Sequence, residues 1–368
     1  MNSSTEDQRH MQRALKLANE ALYLTSPNPR VGCVLVNPNG RVIGEGYTQK
    51  AGQAHAEVVA LTQATQNGFD PKGATAFVTL EPCSHSGRTP PCTNALIKAG
   101  IERVVASFAD PNPLVSGSGL DQLRQAGVQV ELGLGEEESR ELNAGFIKRM
   151  TTGLPWVRLK IASSVDGATA LHNGQSQWIT GERAREHGHT WRARSCAILS
   201  GVGTILSDDP SLNVRLTPTP RQPKLVIIDR ALDTPPSAAI FKEQREVLIY
   251  CANAAVGREQ ILTQQGARVV VMPDAQNPNY VDLKAMLLDL GKNEINELHV
   301  EAGQGLNASF IQQGLVDEFL IYLAPLIVGS AKGWAKLPEL EDLKEAKRLN
   351  FLESYSIDQD IFIRARPA

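Results

Sequence analysis

His55, Glu57, Cys83 and Cys92 are the residues of this chain whose types and spacing carry chemistry most directly. One imidazole and two thiolates make three protein ligands for a tetrahedral zinc and leave the fourth position to water; a structural site would be closed. Zinc brings the pKa of such a water down to about 7, so hydroxide is available at neutral pH. Hydrolysis also needs a proton carrier. Glu57, one residue beyond Ala56 in His55-Ala56-Glu57, stands close enough to the imidazole to take the water's proton and pass it on. Cys33, Cys196 and Cys251 lie inside apolar runs and read as small core residues.

Several elements must position these groups. Gln8 to Leu24 has apolar residues at helical spacing, and Val31–Val36 and Val42–Tyr47 flank Asn37-Pro38-Asn39-Gly40, a hairpin signal. His55 to Gln66 reads as a helix, Ala74 to Leu80 as a buried strand, Thr93 to Ala99 as a helix and Arg103 to Ser107 as a strand. His55 and Cys92 thus fall at helix starts, where the positive dipole end favours thiolates. A further helix over 120–126 and a strand over 128–132 complete an α/β layered domain. The stretch 133–149 is helical in pattern, and Thr151-Thr152-Gly153-Leu154-Pro155 marks the seam. The expected domains are 1–148 and 149–368. Strands are expected near 156–161, 196–199, 224–229, 246–251, 268–272, 297–301 and 318–323, with helices between most of them.

His-x-Glu with Pro82-Cys83 and a second cysteine matches the zinc nucleobase-deaminase signature. The departure is the spacing, because eight residues, Ser84 to Pro91, replace the close Cys-x-x-Cys arrangement. That insert, with Thr25-Ser26-Pro27-Asn28-Pro29-Arg30-Val31-Gly32 upstream, closely resembles the deaminase half of the bifunctional riboflavin-biosynthesis deaminase/reductase family. The resemblance implies a cytidine-deaminase-like α/β/α domain acting on a diaminopyrimidinone that bears a phosphoribosylamino group. It further implies that Asn28 contacts the pyrimidine and that His85 and Arg88 help to hold the phosphoribosyl end.

The resemblance continues past the seam through Lys160 to Gly167, Gly174 to Thr180, Arg192, Gly201 to Thr204, Asp208 to Arg215 and Val300 to Asn307. These look like the reductase half of the same family, a dihydrofolate-reductase-like α/β domain that uses NADPH. Ala162, Trp178, Thr204, Asp208, Gly303, Gln304, Gly305, Leu306, Asn307, Ala308 and Ser309 would contact that cofactor, and Arg230 its 2′-phosphate. Ser176, Arg192, Leu212, Arg215 and Glu301 would contact the ribosylaminopyrimidine. On the residues alone, the small side chains from Gly303 allow backbone N–H groups to approach a phosphate, although no G-x-G-x-x-G is present. Lys160 and Asp166 are candidates to assist proton transfer; neither is assigned.

Composition narrows the field. With 42% hydrophobic and 21% charged residues the chain is ordinary globular protein. A net charge of −3, with no basic excess in either half, disfavours a nucleic-acid partner. The longest apolar run, Phe319 to Val328, is ten residues against the roughly 20 of a spanning helix, so no membrane partner is expected. The N-terminus lacks an apolar signal core, so a cytoplasmic address is expected, and five cysteines are too few for a disulfide framework. The expected activities are deamination of 2,5-diamino-6-(5-phosphoribosylamino)pyrimidin-4-one and NADPH-dependent reduction of 5-amino-6-(5-phosphoribosylamino)uracil, with one Zn2+ per chain and small-molecule substrates. The resemblance also implies a homo-oligomer. The alternatives are a nucleic-acid or nucleoside deaminase with an unrelated second domain, and a zinc-dependent binding module without activity.

Overall fold

The computed structural model describes residues 5–85, 87, 89–112, 115–255 and 257–368, and the chain divides into two compact units, Met1–Gly153 and Leu154–Ala368. The expected boundary at 148/149 falls inside the last helix of the first unit.

That unit runs α1 (Thr5–Glu20), β1 (Gly32–Val36), β2 (Val42–Tyr47), α2 (Ala56–Gln66), β3 (Thr75–Val78), α3 (Cys92–Lys98), β4 (Arg103–Ala106), α4 (Ser118–Gln125), β5 (Gln129–Leu132), α5 (Glu136–Leu142) and α6 (Ala144–Thr152). The sheet order is β2-β1-β3-β4-β5, antiparallel from β2 to β3 and parallel from β3 to β5. All of β1 is buried. Its alternation sends Val34 and Val36 to Met11, Ala14 and Phe77 on one face, and Cys33 and Leu35 to Ala56, Ala60 and Leu96 on the other. The helix expected over 133–149 is two helices broken at Asn143. Its Oδ1 accepts the Arg30 N–H at 2.8 Å and its Nδ2 donates to the Arg30 carbonyl at 3.0 Å. An asparagine side chain that bonds backbone offers the chain an alternative to another helical turn.

The second unit runs β6 (Trp156–Ser164), β7 (Ala168–Ala170), α7 (Glu182–Arg194), β8 (Ala197–Gly201), α8 (Val202–Asp208), β9 (Lys224–Ile228), β10 (Val247–Cys251), α9 (Arg258–Gln264), β11 (Ala267–Val271), α10 (Leu283–Lys292), β12 (Glu297–Val300), α11 (Gln304–Gln312), β13 (Glu318–Ala324), β14 (Lys332–Gly333), β15 (Leu349–Ile357) and β16 (Asp360–Pro367). The large sheet has the order β11-β10-β9-β8-β12-β6-β13-β16-β15. Neighbours are parallel from β11 to β13, and β16 and β15 close the edge antiparallel. Both faces of the parallel part are covered: Leu199, Val226 and Leu248 pack with Met286 and Phe310, and Ile198, Leu225 and Ile249 with Ile205 and Leu262. That explains why these strands read as unbroken apolar runs.

A lattice of charges crosses this sheet. Arg158 on β6 is 1% exposed and bonds Glu297 on β12 at 3.1 Å and Glu318 on β13 at 2.6 Å, both carboxylates being 0% exposed. Arg194 reaches Glu297, and Arg366 reaches Glu318. Among the described residues no helix is long and apolar enough to cross a membrane.

Candidate active site

The first unit gathers its chemistry at the starts of α2 and α3. His55 caps α2 in extended conformation, Glu57 lies in the first turn of that helix, and Cys92 opens α3 directly after Pro91. Close packing fixes where α2 begins. A Cβ on Gly46 of β2 would stand 2.5 Å from the Ala56 carbonyl oxygen, so only glycine lets the helix start this near the sheet.

His55 Nδ1 lies 3.6 Å from Cys83 Sγ and 3.4 Å from Cys92 Sγ. Zinc bonds of about 2.0–2.1 Å to nitrogen and about 2.3 Å to sulfur give a tetrahedron with N···S edges of about 3.6 Å. The three donors, all within 4.8 Å of one another, therefore fit zinc as they stand. The electrostatics agree with that chemistry. The hydrogen bond from Cys92 holds the Cys83 thiol down to about 4, and the same bond pushes Cys92 up. Glu57, 3% exposed, is pushed up to about 7 by burial and by the neighbouring Cys83. The Cys83 hydrogen bond raises His55.

Two neighbours of this cluster had no reading in the sequence. Glu81 is buried, and its carboxylate accepts four backbone N–H groups: Asp110 at 2.8 Å, Gly117 at 3.0 Å, Gly119 at 2.8 Å and Leu120 at 3.4 Å. It clamps the turn beneath Cys83 to the segment leading into α4. The other is Thr89, whose Oγ1 lies 3.2 Å from His55 Nε2. A carboxylate or hydroxyl that serves backbone or ring N–H has no spacing signature, so neither was legible. Asn28 is half-buried, its N–H closing a turn onto the Thr25 carbonyl, and His85 is exposed. Arg88 lies outside the described residues.

The second unit holds a cavity of 800 Å³ at the carboxyl ends of its parallel strands, the usual ligand position in such sheets. Ala162, Ser176, Trp178, Arg192, Thr204, Asp208, Leu212, Arg215, Glu301 and Gly303 through Asn307 line it, together with Lys160. Ala308 and Ser309 do not; Ala308 is buried in α11, and the Ser309 hydroxyl bonds the Gly305 carbonyl. Nor does Arg230, which is exposed after β9 with its guanidinium 5.9 Å from the Tyr280 ring. Arg192 is bidentate to Glu301 at 2.5 and 2.8 Å and also donates to the Asn213 carbonyl at 2.9 Å. Burial would raise the Glu301 carboxyl, but Arg192, with His299 and Lys160, holds it well below the usual range. Arg215 is exposed, and Lys160 is shifted down by burial. Asp166 is a tether rather than a cavity residue, its carboxylate accepting the Ser164 hydroxyl and the N–H groups of Val328 and Gly329.

These features define a class: an α/β enzyme with a cytidine-deaminase-like first unit and a dihydrofolate-reductase-like second unit. Comparison with known proteins agrees. The cytidine and deoxycytidylate deaminase zinc-binding region matches residues 4–108, and the RibD C-terminal domain matches residues 155–363. The riboflavin biosynthesis protein RibD of Escherichia coli (strain K12) is 44% identical over 97% of this chain and 98% of its own. The solved structure of Acinetobacter baumannii RibD is 42% identical, with a TM-score of 0.90 and 99% of each chain covered. A Thermotoga maritima structure, a diaminohydroxyphosphoribosylaminopyrimidine deaminase/5-amino-6-(5-phosphoribosylamino)uracil reductase, is 32% identical with a TM-score of 0.87 and 99% of each chain covered. The chain belongs to the RibD family and is a bifunctional deaminase and reductase of riboflavin biosynthesis.

Proposed function

We propose that the first unit deaminates 2,5-diamino-6-(5-phosphoribosylamino)pyrimidin-4-one by hydrolysis. The second unit then reduces the ribosyl group of 5-amino-6-(5-phosphoribosylamino)uracil to ribityl with NADPH. The observation that carries this reading is Glu57, buried beside the His55, Cys83 and Cys92 donors. The activities in the name of the Thermotoga maritima relative support it.

His55, Cys83 and Cys92 would hold one zinc ion, which when bound supplies the Lewis acidity that makes water a nucleophile at neutral pH. Glu57 takes one proton from the attacking water and gives it to the ring nitrogen, then takes the second from the newly added hydroxyl and gives it to the departing amine. A C–O bond replaces the C–N bond, and ammonia leaves. Burial brings Glu57 close to neutrality, which suits a group that must both accept and give. Asn28 meets the pyrimidine, and His85 and Arg88 meet the phosphoribosyl end.

NADPH, when bound, supplies the hydride for the second reaction. Apart from their chain neighbours and the helix's own backbone, no heavy atom of the described residues lies within 4 Å of where a Cβ would stand on Gly303 or Gly305, so the start of α11 is open to a phosphate. Ala162, Trp178, Thr204, Asp208 and the 303–307 segment form the cofactor side. Ser176, Leu212 and Arg215 form the substrate side. Arg192, occupied by Glu301, shapes that side more than it neutralises a phosphate. The test is mass spectrometry of products from the diaminopyrimidinone substrate. Ammonia loss is expected without NADPH, and a further gain of two hydrogens with it. An unchanged substrate mass would remove the first activity, and deamination without reduction would remove the second.

The same reading carries a cytoplasmic location and a homo-oligomer. Phe351, Leu352 and Tyr355 on the edge strand β15, and Ile361 on β16 beside it, are large apolar side chains left exposed. Apolar exposure concentrated at an unpaired sheet edge supports self-association there.

A further inference from the structure

We infer that Thr89 is a positioning residue for His55, fixing the tautomer and the ring plane of the metal ligand, and that the long insert between the cysteines exists partly to deliver it. The inference rests on the zinc reading of the first unit and adds a residue to it.

The two faces of the imidazole are used differently. Nδ1 faces both thiols, at 3.6 and 3.4 Å, so it is the nitrogen that must offer its lone pair to a metal. A neutral imidazole with a free Nδ1 lone pair carries its hydrogen on Nε2. Thr89 Oγ1, 3.2 Å from Nε2, is the acceptor in place for that hydrogen. Without it, a half-buried N–H would lose its partner, and the ring would be free to turn about its bond to Cβ. Outer groups of this kind set the orientation and basicity of a ligating histidine.

The chain is built to hold the hydroxyl there. Thr89 is followed by Pro90 and Pro91 and then by Cys92, the first residue of α3. Each proline has its own φ fixed and restricts the residue before it to extended conformations. Pro91 is at φ −60°, ψ 133°, so a stiff strut joins the orienting hydroxyl to one of the thiols. The Gly87 N–H donates to the Thr89 carbonyl at 3.2 Å and holds the other side. The strut spans the ring, with Cys92 on the Nδ1 side and Thr89 on the Nε2 side.

The experiment compares the intact chain with Thr89→Val, which keeps the shape and removes the oxygen, and Thr89→Ser, which keeps the oxygen. Zinc affinity is read by competition with a chromogenic chelator, using zinc alone. The His55 Nε2–H resonance of the zinc-loaded protein is read by NMR with labelled histidine. Thr89→Val should bind zinc roughly 10- to 100-fold more weakly, as expected for loss of such a partner, and its Nε2–H signal should be lost to solvent exchange. Thr89→Ser should restore both. An unchanged melting transition of the first unit in both zinc-free variants shows that the unit carrying Thr89 still folds. Wild-type affinity in Thr89→Val, or equal losses in both variants, overturns the inference. Failure of the unsubstituted chain to bind zinc overturns the zinc reading itself, and this inference with it.

Discussion

Glu57→Gln keeps the size of the side chain and removes the group that moves protons. Ammonia release should fall by about 10²–10⁴-fold, the usual contribution of a general acid–base group. Zinc content and NADPH oxidation with the deaminated substrate should stay near wild type; near-normal ammonia release would take Glu57 out of the reaction. Glu81→Gln is a different kind of change. One side of its amide would turn hydrogens toward two of the four N–H donors now bonded to the carboxylate. Leaving buried donors unmet costs about 1–3 kcal/mol, so the melting temperature of the first unit should fall, with a loosened Cys83 turn. The pH response of the second unit should come partly from His189. Burial, with Arg192 and Arg215 nearby, holds it down to about 4, and its Nδ1 accepts the Arg215 N–H at 3.1 Å. Between its ordinary value of 6.5 and about 4, the unfolded chain takes up a proton that the folded one refuses. Stability is therefore full above that window and falls as pH drops through it. His189→Asn, which keeps an acceptor, should flatten that slope in urea titrations at pH 4–6.5. At this scale His55, Glu57, Cys83 and Cys92 were legible because their types do the chemistry. The Arg192–Glu301 pair was not, since its partners lie 109 residues apart and each alone resembles a free contact.

Among the elements, α2 shows how sequence alone locates a helix without saying how close it comes to its sheet. Gly46→Ala would put a methyl 2.5 Å from the Ala56 carbonyl and 2.7 Å from the Ala60 nitrogen, both backbone, which cannot swing aside. The start of α2 should shift outward and carry His55 with it. A weaker zinc affinity measured by chelator competition, together with a lower melting temperature, is the expected result; an unchanged affinity would mean the helix start does not set the site. The α/β alternation in both halves was readable from apolar runs and turn residues. The β15–β16 hairpin was not. Its turn is Asp358-Gln359, with Asp358 at φ +57° and no glycine or proline to announce it, and β15 is exposed along nearly its whole length. With few residues to bury, such a strand has no apolar rhythm to read.

For the whole molecule, the two units have separate cores and should respond separately. In calorimetry, NADPH should raise only the transition of the second unit and chelation should lower only that of the first, because a ligand stabilises what it binds. Cys83→Ser combined with Cys92→Ser should lose most of the zinc while NADPH oxidation persists; full zinc occupancy would overturn the ligand assignment. Self-association is the third expectation at this scale. Phe351, 66% exposed on β15, replaced by Phe351→Lys should dissociate the oligomer in sedimentation equilibrium. A monomeric wild type would remove the assembly proposal.

The charges buried across β6, β12 and β13 have a bearing on folding fidelity. Adjacent parallel strands rich in Val, Ile and Leu offer a nascent chain many near-equivalent alignments, and apolar contacts alone discriminate weakly among them. Sliding β6 by one residue would turn Arg158 to the opposite face, away from both Glu297 and Glu318, and leave its guanidinium without either carboxylate. An unpaired interior charge costs several kcal/mol, far more than a misplaced methyl group. The lattice thus works as a proofreading device: it adds little to the depth of the native well and raises the misaligned ones. Replacing Arg158, Glu297 and Glu318 with apolar side chains, with Arg194 and Arg366 made Gln so that neither charge is left facing them, should leave the urea midpoint nearly unchanged while lowering the yield of correctly refolded reductase. An undiminished yield would assign the proofreading to something else.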